Sequence, residues 1–128
     1  MLSSRPAVAF VAVSDFDAAR AFYEGVLGLE IVSQNALGVV ARAGGVTVRL
    51  IQPSLRASAV YTVLGFDTPD IAADAAALAG RGVVFERYDF LGETQDVDAI
   101  WTAPDGARVA WFKDPDGNVL SLSQHPPA

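Results

Sequence analysis

Hydrophobic and polar positions alternate with period two over several short stretches, and two stretches carry a helical spacing instead. Residues 7–13 are apolar on both faces, which predicts an interior strand. Ser14 or Asp15 then caps a helix, with Phe22, Tyr23, Val26 and Leu27 forming one apolar side and Gly25 and Gly28 ending it. Strands are predicted over 29–33, 39–43 and 46–51. Within the last, Val46, Val48 and Leu50 point toward the helix, while Thr47, Arg49 and Ile51 point away.

The same order then recurs. A strand over 59–66 leads to Thr68-Pro69-Asp70, read as a helix start with proline in its first turn. An alanine-rich helix over 71–79 is stopped by Gly80 and Gly82, and strands follow over 83–88, 107–113 and 118–123. The last two flank Asp114-Pro115-Asp116-Gly117-Asn118, a turn in which proline presets φ, glycine supplies a positive φ, and the Asp and Asn side chains bond nearby backbone. This is a hairpin, and beyond it Leu120 and Leu122 take one face while Val119, Ser121 and Ser123 take the other.

The repeat is therefore strand, helix, strand, strand, strand, with module one over about 6–53 and module two over about 58–124. This is an α+β chain of two βαβββ modules, each a curved mixed sheet with a helix on its convex side. Pairing two such sheets, within or between chains, encloses a cleft. The second copy is longer, and its surplus falls at 89–105, with Gly92, Pro104 and a lone Trp101. A long segment of this kind predicts a lid; the alternative is an edge-covering loop whose Trp101 plugs the core.

Composition narrows the classes. A chain of 128 residues with 52% hydrophobic and 19% charged content is one globular domain. Its net charge of −6 argues against nucleic acid or an anionic membrane as partner. The absence of cysteine removes disulfides and thiolate chemistry and fits a cytoplasmic protein. The apolar run 7–13 is too short for a signal peptide, and Asp15 and Asp17 follow it at once. No serine nucleophile elbow and no glycine-rich phosphate loop is present.

The element order, the stretch Asp15-Phe16-Asp17 through Phe22-Tyr23-Glu24-Gly25-Val26-Leu27-Gly28-Leu29-Glu30, and the hairpin from Phe112 to Leu122 resemble the vicinal oxygen chelate superfamily of glyoxalases, bleomycin resistance proteins and dioxygenases. The resemblance spans 7–123. It implies the glyoxalase/bleomycin-resistance fold, a homodimer, and a concave cleft that holds either a metal or a small molecule. Metal-binding relatives place His or Gln on a module's first strand and Glu on its last. Alignment puts Val8, Arg49, Val63 and Ser121 at those positions, and two valines, a hydroxyl and a fixed cation offer a divalent ion almost nothing. No metal or other cofactor is expected. The lone His125 lies in a Pro-rich tail.

The ligand-binding residues expected are Arg49, Ser121, Val8, Phe10, Tyr61, Val63 and Trp101: mostly apolar walls with a fork donor for an anionic oxygen. Arg49 could instead serve an intramolecular carboxylate or snorkel to the rim. Trp111 and Tyr88 could stack on a ligand or belong to the core, and the alternation leaves the face of Trp111 open. The function that follows is metal-free binding of an apolar or aromatic small molecule, with sequestration as its purpose. Two other readings remain: a lyase, isomerase or dioxygenase using a displaced metal or none, and a dimerising module with a filled cleft.

Overall fold

The computed structural model describes residues 1–53 and 61–127. The chain forms two compact units, Met1–Ser58 and Ala59–Ala128. The first two residues of the strand expected at 59–66, and the start of module two at 58, lie outside the described residues.

Unit one contains β1 (Val8–Ala12), α1 (Phe16–Arg20), β2 (Glu30–Asn35), β3 (Gly38–Ala43) and β4 (Val46–Ile51), in the sheet order β1-β4-β3-β2. Asp15 caps α1, its carboxylate accepting from the Asp17 and Ala18 amides at 2.8 and 3.1 Å. The helix then widens into a π-helical turn, Ala21–Val26, in which the Leu27 amide donates to the Phe22 carbonyl. Gly25 lies inside this turn and does not end it. The stop comes at Gly28, whose φ of 75° suits a residue without a Cβ.

One face of this sheet is dry. Val11, Val39, Ala41, Val48 and Leu50 are buried with Ala19 and Tyr23 of the helical segment. Registry puts Val8 beside Thr47 and Phe10 beside Arg49 on the opposite face, where Val8 is 46% and Phe10 61% exposed. The stretch 7–13 is thus not an interior strand: among the described residues β1 pairs with β4 alone and forms the edge of its sheet. Its two-sided apolarity reflects one buried face and one open one, not burial on both.

Unit two repeats the order with β5 (Thr62–Asp67), α2 (Ile71–Gly80), β6 (Trp101–Thr102), β7 (Arg108–Lys113) and β8 (Val119–Gln124), arranged β5-β8-β7-β6. The cap of α2 is Asp70, accepting from the Ala73 amide, so Pro69 precedes the cap and is not in the first turn. β8 is paired on both sides, and Val119 to Leu122 are all buried. The turn before it is held by Asp114, whose carboxylate accepts from the Asp116 and Asn118 amides and the Asn118 side chain at 2.8–2.9 Å.

The strand expected over 83–88 does not form. This stretch runs extended, and the Glu86 amide donates to the Trp111 carbonyl of β7 at 2.8 Å, but no ladder develops. The place beside β7 is taken further along by β6, inside the segment read as a loop. That segment also contains a 3-10 turn, Asp89–Thr94.

Candidate functional site

Antiparallel register across the β7–β8 hairpin places Trp111 opposite Ser121 and Phe112 opposite Leu120. Phe112, Ala110 and Leu120 are fully buried on the side that α2 covers. Trp111 therefore stands on the other face, with Ser121, which answers the question that alternation alone left open. Trp101 opens β6 opposite Val109 and comes to stand beside Trp111, with ring centroids 6.0 Å apart.

These two indoles, with Tyr61, Tyr88 and Phe90, surround a hollow of about 340 Å³ within unit two. The rings form a run: Phe90 to Tyr88 at 5.7 Å, Tyr88 to Trp111 at 5.5 Å and nearly perpendicular, and Trp111 to Trp101. Such tilted and edge-on pairings are favoured by the ring quadrupoles, so the walls support one another. Leu91 and Val119 complete the apolar lining, and Thr62 adds a hydroxyl.

Polar groups at the rim are few. Burial pushes the Tyr88 hydroxyl above its ordinary pKa; the Glu86 carboxylate adds to the rise and Lys113 opposes it. The phenol is therefore a neutral donor at physiological pH. Lys113 and Glu86 pair at 3.2 Å. None of the described lining residues is a carboxylate or an imidazole.

Of the expected site residues, Tyr61 and Trp101 meet in this hollow. Ser121 is buried on the same face, directly opposite Gly65 of β5. Val63 is the extra residue of a β-bulge between Thr62 and Leu64 and is not part of the lining. Val8, Phe10 and Arg49 come together elsewhere, on the open face of unit one, where Arg49 borders a shallow hollow of about 70 Å³ with Val40 and Ile51. Among the described residues Arg49 has no ion-pair partner.

The metal expected of the resembling family can be tested against these side chains. Val8 and Val63 have no donor atom, Ser121 has one buried hydroxyl, and Arg49 is a permanent cation. Among the described residues no three His, Cys, Asp or Glu side chains converge. His125 lies 3.8 Å from Asp67, both well exposed. The donor set at those four positions does not fit a divalent ion.

Phe90, Leu91, Thr62 and Val119 were not among the expected binding residues, and the sequence leaves Tyr88 and Trp111 between ligand stacking and core. A signal for Trp111 existed: counting back from Ser121 through the symmetric turn lands on it. The 89–105 segment supplies walls, through Phe90, Leu91 and Trp101.

A model of the Glyoxalase/Bleomycin resistance protein/Dioxygenase superfamily matches residues 5–122. Among solved structures, an antibiotic-binding protein of a Streptomyces species, TnmS3, is 26% identical over 98% of this chain and 99% of its own, with a TM-score of 0.73. A superfamily member from Sphaerobacter thermophilus is 26% identical over 98% and 100%, with a TM-score of 0.74. Lactoylglutathione lyase from Agrobacterium tumefaciens is 21% identical over 94% and 93%, with a TM-score of 0.72, a likeness of fold. No curated protein matches in sequence.

Proposed function

The chain belongs to the Glyoxalase/Bleomycin resistance protein/Dioxygenase superfamily, and from that premise we propose that it is a small-molecule-binding protein. It takes a flat aromatic or apolar ligand into the hollow of unit two, without a metal. The observation that carries this reading is the run of rings Phe90, Tyr88, Trp111 and Trp101, joined by Tyr61, around one cavity. Concave, mostly apolar sites with a few hydroxyls are what small organic ligands occupy. Each ring face presented to a planar ligand adds to the area term. The likeness to TnmS3, an antibiotic-binding protein, supports sequestration as the purpose.

Catalysis through a divalent ion at the family's ligand positions would have one serine hydroxyl and no carboxylate or imidazole to work with. Arg49, with Phe10 and Val8 beside it, is assigned a second role, holding an anionic group on the open face of unit one. The exposure of Val8 and Phe10 also supports homodimerisation.

The test is titration of purified protein with the neutral fluorophore N-phenyl-1-naphthylamine, followed by calorimetry and tryptophan quenching. Saturable binding that falls at least tenfold in Trp111→Ala is expected. Failure of this and a panel of planar aromatics to bind sinks the reading. So does about one tightly held divalent ion per chain, found by elemental analysis of untagged protein.

A further inference from the structure

Two walls of the aromatic hollow come from stretches at the margin of the β7 ladder: Tyr88 ends the extended run 83–88, which forms no ladder, and Trp101 opens the two-residue β6 after the turn at 96–100. One buried side chain joins them. Gln95, 5% exposed, accepts from the Tyr88 amide at 2.8 Å and donates to the Glu86 and Ala99 carbonyls, both at 3.0 Å. Its own backbone bridges Trp101. The Glu86 carbonyl and Tyr88 amide flank one residue and point to the same side of an extended chain, so a neighbouring strand would bond this pair. The Glu86 amide, just before this pair, donates to the Trp111 carbonyl. The Gln95 carboxamide therefore takes the place of the N–H and C=O that one residue of a neighbouring strand would offer this pair.

We propose that Gln95 is the positioning residue of the binding hollow, setting the separation of the Tyr88 wall from the Trp101–Trp111 wall. This rests on the reading of the hollow as the ligand site. The carboxamide is specified chemically. One acceptor must face an amide and two donors must face carbonyls, so neither glutamate nor a same-sized apolar side chain can replace it. Ala99 holds a positive φ of 63°, and the Asp96 carboxylate accepts from the Asp98 and Ile100 amides, so the turn presents the Ala99 carbonyl to Gln95 in a fixed place.

The test compares wild type, Gln95→Met and Gln95→Glu, with Thr68→Val as a control. The control also loses buried hydrogen bonds, those of Thr68 with Asp74 and the Asp70 amide, but away from the hollow. Two readouts are taken: the near-ultraviolet circular dichroism of the Trp101–Trp111 pair, and affinity for N-phenyl-1-naphthylamine. Both Gln95 variants should lose most of the indole signal and at least tenfold in affinity, while Thr68→Val keeps both. Unchanged spectra in the Gln95 variants, or equal losses in the control, overturn the proposal. Should the variants not fold, exchange of the Gln95 side-chain amide protons in wild type decides: slow exchange supports the clasp, and solvent-like exchange overturns it. Loss of the indole signal in variants of a wild type that binds no probe would uphold the clasp and reject the ligand site.

Discussion

Ser121 and Gly65 face each other across the β5–β8 pair so closely that a Cβ on Gly65 would lie 2.9 Å from the Ser121 hydroxyl oxygen. Ser121 is buried, so its hydroxyl gives way only by taking another rotamer. Gly65→Ala should cost about 1 kcal/mol, the overpacking penalty less the gain from removing a strand glycine. In a Ser121→Ala background the same change should become stabilising. A double-mutant cycle by urea denaturation measures the coupling, and additivity would show that the two side chains do not meet.

Gly38 is a harsher case. It has a φ of +152°, and an added Cβ would sit 2.4 Å from the Leu50 backbone carbonyl oxygen, which cannot rotate away. Gly38→Ala should destabilise by about 3 kcal/mol, combining backbone strain with overpacking. Chemical denaturation checks this, and a loss below that of Gly65→Ala would contradict it.

The Tyr88 phenol makes stability fall at alkaline pH. Its folded pKa lies above the usual value near 10, so the unfolded chain ionises first. The contribution is complete below the unfolded pKa and is lost as pH rises toward the folded one. Denaturation midpoints measured upward from pH 9 should drop more steeply for wild type than for Tyr88→Phe. Parallel curves would mean that burial does not perturb this hydroxyl.

Asp114 is buried, and its carboxylate accepts three hydrogen bonds from the turn that joins β7 to β8. Asp114→Ala should cost about 2–3 kcal/mol, since buried donors lose a charged acceptor. Asp15→Ala, which removes an exposed helix cap, should cost about 1 kcal/mol. Thermal melts of the two variants test the order, and a reversal would assign the turn a minor role.

What could be read from the residues depended on how local the cause was. The hairpin around Asp114 to Asn118 is specified by its own side chains, and both helix caps are short-range chemistry. The edge position of β1 is not local: its apolar outward face looks the same in sequence whether or not another strand lies beside it. The stretch 83–88 has strand-like Val83, Val84 and Phe85, yet beyond one bond to the Trp111 carbonyl it is tied by the side chain of Gln95, which period-two patterning cannot signal. Trp101 and Tyr61 were recognised as candidate binding residues and Tyr88 and Trp111 as residues that could stack or be core, but the face of Trp111 needed the register of β7 and β8. Arg49 was read as a neighbour of a ligand from strand alternation and from alignment, Ser121 from alignment, and they belong to different units.

The wide turn at Ala21–Val26 holds one more residue than α-helical spacing would, while Tyr23 inside it stays completely buried. Removing a single residue there, with Gly25 the simplest candidate, would leave ordinary α geometry and the same entry into β2. The helix thus contains a length reserve: a one-residue deletion, which would shift the register of any strand in this fold, should be absorbed at that point without moving the buried tyrosine.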